Sequence, residues 1–291
     1  MDNLNVEGVK IRSFPEHNYR GIYFNGKTIR LRQDNSKPIT DLDYPEFYDV
    51  KITSYCEGNC PWCYMNSTCK GYHFDDILGK VDAFFGNMTE NQKPFQVAIG
   101  GGEPTMHPDF SELLKKFRDL GIAPNYTTNG MHMSDDVYFA TAHNCEGVAV
   151  SCHPHLEEYW KPAFRSLISS GVKTNFHIII SDEESVDYFK AIYSVYASKA
   201  FYFVLLPYKE AGRAESKDIN FEYFFNTLMD MDDISRIAFG ALFYPYLKTQ
   251  TWMDISLYEP EIMSKFLDMS DMTLYPSSFS TDKPIRKVLE S

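Results

Sequence analysis

The sequence lacks an apolar run of membrane-spanning length, and its first residues contain neither the basic nor the apolar stretch of a secretory signal. Basic residues are also scarce. The sequence has 28 Lys and Arg against 40 Asp and Glu, which gives a formal net charge of −12. A surface of that sign repels phosphate backbones. We therefore expect a cytoplasmic protein with no membrane segment and without nucleic acid as a partner. The local excess of basic residues over 10–37 is typical of a solvated hairpin face.

Cysteine is scarce too, and its placement is uneven. Six cysteines occur, and three of them, Cys56, Cys60 and Cys63, fall within one short stretch. A secreted disulfide framework would spread its cysteines, whereas a cluster in a cytosolic chain indicates metal binding or catalysis. Electron-transfer iron–sulfur clusters normally take four cysteines, so three would leave one iron open to a non-protein ligand. Structural zinc, with Cys69 or His73 as fourth ligand, is the alternative that this loop alone leaves open.

Hydrophobic residues are plentiful at 44%, with 20 Tyr and 22 Phe, which predicts a packed globular protein with one large core. Asn25-Gly26, between β-rich arms, predicts a hairpin over 21–32 with a type I′ turn. From residue 47 the pattern alternates between strand and helix. Strands are predicted near 47–53, 96–99, 122–127, 147–150, 172–180 and 201–206, and helices near 74–85, 108–120, 134–142, 156–169 and 186–197.

Six strand–helix units in a row predict an α/β protein with a parallel sheet and helices outside it. Right-handed crossovers allow either an open doubly wound sheet or a barrel, and both place active sites at the carboxyl ends of the strands. We divide the chain into an N-terminal β-hairpin extension at 1–46, a core at 47–214 and a small C-terminal cap at 215–291. The cap should contain a helix near 221–231 and a hairpin over 266–276.

Two motifs on this scaffold resemble those of a known family. Cys56-x3-Cys60-x2-Cys63, with Trp62 before the last cysteine, resembles the signature of the radical SAM superfamily, and Gly-Gly-Glu-Pro at 101–104 is similar to its second motif. The resemblance covers about 47–214 and implies a partial (β/α)6 TIM-like barrel. It also implies an oxidoreductase or modifying enzyme in which a single [4Fe-4S] cluster reductively cleaves S-adenosylmethionine (SAM). The resulting 5′-deoxyadenosyl radical would abstract hydrogen from a peptide, protein or small-molecule substrate, with a flavodoxin- or ferredoxin-type protein as electron donor.

The resemblance implies roles for residues at matching positions. Cys56, Cys60 and Cys63 would bind iron and act in catalysis, the open iron would be chelated by the methionine part of SAM, and backbone at Trp62 would lie near adenine. A binding protein that keeps the cluster without turnover, or a zinc-stabilised binding module, remains an alternative.

Further cofactor contacts are expected at the same edge. Gly101, Gly102 and Glu103 would line the methionine amino group of SAM, since glycine lets backbone approach a ligand closely. Asn129 would either hold a left-handed turn or face SAM or substrate. Ser151 would contact the ribose of SAM or close the end of its strand.

Other positions carry weaker signals. Leu206, at the end of the sixth strand, would pack on adenine, and Arg213 would bind a substrate carboxylate or form a structural salt bridge. His153 and His155 could face the cavity but are more typical of a surface loop, and His177, in mid-strand, is typical of a core residue.

The C-terminal region lacks cysteine. Pro276-Ser277-Ser278-Phe279 resembles the Pro-Cys-Ser-Phe ending of the SPASM/twitch-like auxiliary domains of related peptide-modifying enzymes, with serine in the cysteine position. No cysteine follows Cys152, so a degenerate auxiliary domain without a second cluster is expected. Cys145 and Cys152 are predicted to be small buried side chains.

Overall fold

The computed structural model describes residues 8–217, 219–252 and 260–288. Its strands are β1 (Val9–Phe14), β2 (Tyr19–Phe24), β3 (Lys27–Leu31), β4 (Phe47–Thr53), β5 (Gln96–Gly101), β6 (Ala123–Thr128), β7 (Gly147–Ser151), β8 (Thr174–Ile180), β9 (Phe203–Pro207), β10 (Ile237–Phe239), β11 (Ser264–Asp268), β12 (Thr273–Tyr275) and β13 (Arg286–Lys287). The helices are α1 (Ile77–Val81), continued by a π-helical turn (Asp82–Gly86), α2 (Phe110–Asp119), α3 (Asp135–Asn144), α4 (Glu157–Ser169), α5 (Glu183–Tyr196), α6 (Phe221–Met229), α7 (Tyr244–Leu247) and α8 (Pro260–Met263).

The main sheet has ten strands in the order β10-β9-β8-β7-β6-β5-β4-β11-β12-β13. From β10 to β11 every neighbouring pair is parallel, and only the last two pairings, to β12 and β13, are antiparallel. The outermost strands of the described sheet do not pair with each other, so the barrel is open. The predicted α/β fold with a partial barrel is therefore confirmed, and the six predicted strands and the five helices predicted between them are present.

Alternation along each strand separates two faces. In β4, Tyr48, Val50 and Ile52 are buried, and Tyr48 meets the rings of Phe84 and Phe85 edge-on beside α1. Side chains at these positions therefore face the helices, and the residues between them face the concave side of the sheet. The same division holds along β5 to β9, which leaves the concave side for polar and half-buried residues.

The N-terminal extension is a three-stranded antiparallel sheet, one strand more than the predicted hairpin. Asn25 and Gly26 have φ of 51° and 77°, as the type I′ turn requires. The strand that was not predicted is β1. It contains Arg12, which is 1% exposed and donates hydrogen bonds to the backbone carbonyls of Tyr44 and Pro45. A buried arginine interrupts the apolar pattern by which β1 could have been recognised.

The C-terminal region differs from the predicted cap. Its strand β10 pairs with β9 and its strand β11 pairs with β4, so residues beyond 214 extend the main sheet at both edges. The hairpin of β11 and β12 is present, with Met272 at φ 57° in its turn. A boundary at 214 would therefore divide one sheet rather than separate two domains. The longest described helix, α5, has 14 residues, and among the described residues we find no helix that is long and apolar enough to cross a membrane.

Candidate active site at the carboxyl edge of the sheet

The cysteine loop runs from the end of β4 to the start of α1. Short backbone bridges join Tyr55 to Thr68 and Thr53 to His73, so the loop returns along its own entrance. The amide of Cys56 donates to the carbonyl of Thr68 at 3.0 Å. These bonds fix the base of the loop and present its three motif thiols, all half-buried, at the carboxyl edge of the sheet.

Polar contacts hold the thiols of Cys56 and Cys60, and the Cys60 thiol lies 3.8 Å from the carbonyl oxygen of Gly58. Cys56 Sγ accepts from the backbone amide of Gly58 at 3.4 Å and from Nδ2 of Asn129 at 3.7 Å. Burial raises the pKa of Cys56 to about 11 and that of Cys60 to about 12. Both thiols are therefore protonated at neutral pH, and binding of a metal must displace the protons.

The loop does not form a ready zinc site. His73, one candidate for a fourth ligand, places Nδ1 3.0 Å from Thr53 Oγ1 and packs its ring against His107. Cys69, the other candidate, is exposed. Zinc needs four ligands converging at 2.0–2.3 Å, and in the described ranges no three His, Cys, Asp or Glu side chains are placed to hold one ion. A cubane, in which each cysteine binds its own iron, fits three spaced thiols better.

Arg213 clamps the cysteine loop from the segment after β9. Its guanidinium donates to the carbonyl oxygens of Ser67 at 2.8 Å and Cys60 at 3.0 Å. Its backbone amide donates to the carbonyl of Cys63 at 3.1 Å. The predicted structural salt bridge is wrong, because the described partners of the guanidinium are backbone carbonyls of the loop. Binding of a substrate carboxylate by Arg213 stays a prediction.

The glycines of the second motif are required by the neighbouring chain. A Cβ on Gly102 would lie 2.0 Å from the carbonyl oxygen of Tyr55, and one on Gly101, whose φ is +115°, would lie 2.3 Å from that of Thr53. The amide of Gly102 donates to Thr53 O at 2.8 Å, and that of Glu103 to Tyr55 O at 2.9 Å. The second motif is thus bonded directly to the entrance of the cysteine loop. This close contact explains the need for glycine at both positions.

Glu103 connects the ends of β5 and β6. Its side chain is 2% exposed, and its carboxylate accepts from the amide of Asn129 at 2.8 Å and from the hydroxyl of Thr105 at 2.7 Å. Burial raises the pKa of Glu103, and these hydrogen bonds oppose that rise. Most of the acceptor capacity of the carboxylate is therefore used within the protein.

Asn129 performs two functions. Its Oδ1 accepts from the amide of Met131 at 2.9 Å and closes the turn, while its Nδ2 faces Cys56 Sγ. The left-handed residue of this turn is Gly130, at φ +84°. Ser151, at the end of β7, is half-buried, and its hydroxyl forms no hydrogen bond within the described structure. Leu206 is half-buried near the end of β9.

Trp62 packs against two histidines of the loop after β7. Its ring centre lies 5.6 Å from that of His153 and 5.4 Å from that of His155, and its Nε1 is buried without a partner in the described structure. His155 is exposed, but its Nε2 lies 3.2 Å from the carbonyl of Gly58. Burial lowers the pKa of His153 to about 4, so this ring is neutral. Both histidines therefore support the cysteine loop.

Sequence reasoning missed a group of charged residues below this edge. Asp49 on β4 and Lys209 after β9 interact electrostatically, and Lys209 also acts on His177 of β8. A signal was available for Asp49, because a carboxylate inside a parallel strand that packs on helices is unusual. His177 was predicted to be a core residue. Its side chain is half-buried and lies on the concave face rather than in the helix-packed core. Of the remaining cysteines, Cys152 is buried as predicted and Cys145 is half-buried.

Comparisons with known proteins agree with these motifs. The sequence model of the Radical SAM superfamily matches residues 50–194. A protein of Methanocaldococcus jannaschii, described as a candidate glycyl-radical enzyme activating enzyme, is 36% identical over 85 residues, covering 29% of this chain and 32% of that protein. A 7,8-dihydro-6-hydroxymethylpterin dimethyltransferase of the same organism is 28% identical over 92 residues, covering 31% of this chain and 18% of that protein. The chain thus matches a third or less of the length of these two relatives.

Solved structures extend the likeness over most of the chain. Streptococcus suis SuiB bound to S-adenosylmethionine superposes with a TM-score of 0.69 at 13% identity, covering 97% of this chain and 85% of that one. SuiB has also been solved with its precursor peptide SuiA, at a TM-score of 0.67 and 15% identity, covering 86% of this chain and 64% of that one. The enzyme anSMEcpe with bound AdoMet superposes at 0.59 and 16% identity, covering 84% and 79%. At such identities the likeness establishes the fold.

Proposed function

Because the chain belongs to the radical SAM superfamily, whose members use a [4Fe-4S] cluster and SAM, we propose that it is an enzyme that cleaves SAM reductively. The cluster would be held by Cys56, Cys60 and Cys63. The observation that carries this proposal is the arrangement of three half-buried thiols on one loop whose entrance is hydrogen-bonded to the Gly-Gly-Glu-Pro segment. Both motifs thereby meet at the carboxyl edge of a parallel sheet, where this class of fold binds its ligands.

The protein's own groups would prepare this site. When bound, the cluster supplies the electron that breaks the bond between sulfur and C5′ of SAM, giving a 5′-deoxyadenosyl radical that takes hydrogen from the substrate. Asn129 Nδ2, already facing Cys56 Sγ, would donate to that thiolate and stabilise it. Arg213 would keep the loop in place from behind.

SAM would lie along the edge next to the cluster. Backbone at Gly101 and Gly102, with the remaining acceptor capacity of Glu103, would bind its methionine amino group. The unpaired hydroxyl of Ser151 would bind ribose, and Trp62 with Leu206 would flank adenine. The half-buried positions of Ser151, Trp62 and Leu206 at one sheet edge support this assignment.

We further propose that the substrate is a peptide, a protein side chain or a small molecule, and that a flavodoxin- or ferredoxin-type protein supplies the electron. The likeness to SuiB, which has been solved with a precursor peptide, supports a peptide. The C-terminal residues would be a degenerate SPASM/twitch-like region without a second cluster, since no cysteine follows Cys152.

Anaerobic reconstitution with iron and sulfide, followed by SAM and dithionite, tests the proposal through 5′-deoxyadenosine measured by mass spectrometry. Wild type should bind about four irons per chain and form the product. Cys60→Ala should form none, whereas Cys69→Ala, which removes an exposed cysteine only six residues from Cys63, should behave as wild type. Four irons without product would favour a cluster protein without turnover, and bound zinc in place of iron would refute the proposal.

A further inference from the structure

The concave face of the main sheet holds two opposite charges that the cluster site does not use. Tyr48 and Val50 of β4 are buried against the helices, so Asp49 between them faces the concave side. His177 of β8 faces the same side, because its neighbours Phe176 and Ile178 belong to the helix-packed core. Lys209 follows β9 at the carboxyl edge.

Curvature of the sheet brings these residues together. Five strand spacings separate β4 from β9, which in a flat sheet would be about 24 Å at about 4.8 Å per strand. Burial nevertheless lowers the pKa of Lys209 and raises that of Asp49, and the attraction between these two charges partly opposes both shifts, so the groups are close enough to interact. Nζ of Lys209 also lies 3.8 Å from the centre of the ring of Tyr64, which follows the last cysteine of the loop. Asp49 and Lys209 therefore lie near each other on the concave side of the sheet, and Lys209 adjoins the cysteine loop.

Aromatic rings hold Lys209 from two sides. Besides Tyr64, the ring of Phe279 lies 4.9 Å from Nζ, and Tyr64 Oη is 3.5 Å from Ser278 Oγ. The C-terminal segment 276–280 thus lies beside Lys209 and the cysteine loop. Rings favour a cation over their faces but provide no lone pair in line with its N–H bonds, so the three ammonium donors remain available.

Neither charge has a bonded partner among the residues that the structure describes. No ion pair within 4.0 Å involves Asp49 or Lys209, and neither side chain forms a hydrogen bond. A further acceptor, Oδ1 of Asn175 on the same face of β8, is buried without a partner. Both side chains are half-buried, and charges that are partly removed from water are normally paired, because the lost hydration is costly unless a partner compensates. Two opposite charges left unpaired on one face of the sheet indicate a ligand that reaches both.

We propose that Asp49 and Lys209 bind the two ends of a zwitterionic substrate group, with an ammonium against Asp49 and a carboxylate against Lys209. The inference rests on the function proposed above and specifies the chemistry of its substrate. A free amino acid supplies both charges, and so does a peptide segment with a basic and an acidic side chain. His177 adds a neutral hydrogen-bonding group on the same face.

The protonation states agree with this chemistry. Burial raises the pKa of Asp49 only to about 6 and lowers that of Lys209 only to about 8, so both are mostly charged at pH 7. Burial lowers the pKa of His177 to about 4, which keeps the imidazole neutral and able to donate or accept. The concave face thus offers one negative, one positive and one neutral polar group.

Binding is tested with defined probes on the reconstituted, SAM-bound enzyme, by saturation-transfer NMR under anaerobic conditions. The free amino acid arm is the series from glycine to 6-aminohexanoate, which varies the distance between the charges. The peptide arm is acetyl-Lys-Gly-Glu-amide. At least one zwitterion should bind about tenfold or more tightly than propylamine or propionate. Propylamine leaves Lys209 without a partner, and propionate leaves Asp49 without one. The arm that binds identifies the source of the zwitterion.

Variants separate this site from adventitious binding. Asp49→Asn and Lys209→Gln should each weaken the zwitterion by about tenfold or more, whereas Lys209→Arg should restore most of the affinity because it keeps the charge. Asp75→Asn and Lys199→Gln, at exposed positions, should bind as wild type. No binding of any zwitterion to wild type, or equal binding to Asp49→Asn and Lys209→Gln, would overturn the inference. Loss of binding in both Lys209→Gln and Lys209→Arg would show that bulk rather than charge matters, which also overturns it.

Failure of this inference is distinguishable from failure of the proposed function. Formation of 5′-deoxyadenosine is measured in the same wild-type and Asp75→Asn preparations. Product without zwitterion binding would reject the substrate class and leave the SAM chemistry intact. Zwitterion binding without product would reject the SAM chemistry and leave a binding site.

Discussion

Replacing Asp49 by asparagine should make the folded protein more stable at pH 8. Burial raises the pKa of Asp49 from 3.8 to about 6, and the attraction of Lys209 only partly opposes this rise. Between these pH values the folded chain holds a proton that the unfolded chain has released. The contribution of Asp49 to stability is therefore fully present below about pH 4 and is lost as pH rises through 6.

The size of the effect follows from that difference in pKa. About two units at 1.36 kcal/mol each correspond to about 3 kcal/mol of destabilisation above pH 7. The Asp49 side chain is half-buried rather than sealed, so solvent screening reduces the figure. Asparagine has nearly the same shape and no charge, so we expect a gain of about 1–3 kcal/mol in the free energy of unfolding at pH 8.

Urea unfolding of the cluster-free wild type and Asp49→Asn at pH 4, 6 and 8 measures this gain by linear extrapolation. The difference between the proteins should be near zero at pH 4 and should reach its plateau above pH 7. His153 and His177, whose pKa values fall to about 4 through burial, contribute the opposite trend, but both proteins contain them and the difference removes it. Equal or lower stability of Asp49→Asn at pH 8 would refute the reasoning, since the carboxylate would then be stabilised within the protein.

Two further substitutions test how the cysteine loop is held. Gly102→Ala should lower the free energy of unfolding by about 1–3 kcal/mol and reduce iron incorporation, because its Cβ would lie 2.0 Å from Tyr55 O. Gly100→Ala is the control. A Cβ there would have nothing within 4 Å, so this variant should match wild type in thermal unfolding and iron content. Arg213→Lys should lose about 1–3 kcal/mol through its missing bonds to loop carbonyls and should release iron faster to a chelator. Arg165→Lys, at an exposed position, is its control, and equal release rates would contradict the clamp.

The core of the fold could be predicted because each strand–helix unit is locally consistent. Residues 110–117 place their apolar side chains on one face of α2, and Asn25-Gly26 specifies its turn by φ alone. The outer strands could not be predicted in the same way. β10 has three residues and β13 has two, so their pairing is decided by the neighbouring strand rather than by their own pattern.

For the candidate site, too, local features could be predicted from the sequence and long-range contacts could not. Motif spacing predicted Cys56, Cys60 and Cys63 as a group, because residues a few positions apart on one loop can lie close together. Local sequence contains no information on contacts that join distant segments. The clamp formed by Arg213 and the meeting of Asp49 with Lys209 depend on how strongly the sheet curves, and both required the structure.

The pairing of β11 with β4 has a consequence for biosynthesis. Ser264 lies beside Phe47, 217 positions earlier in the chain (264 − 47). At about 5–20 residues per second, a ribosome needs about 10–40 s to make the intervening chain. During that time β4 has one unpaired edge, and a free strand edge is a template for association with other chains. The strand that leads into the cysteine loop is therefore the last of the parallel strands β4 to β9 to gain both neighbours, and we expect a nascent or truncated chain ending near residue 214 to aggregate before it can receive iron.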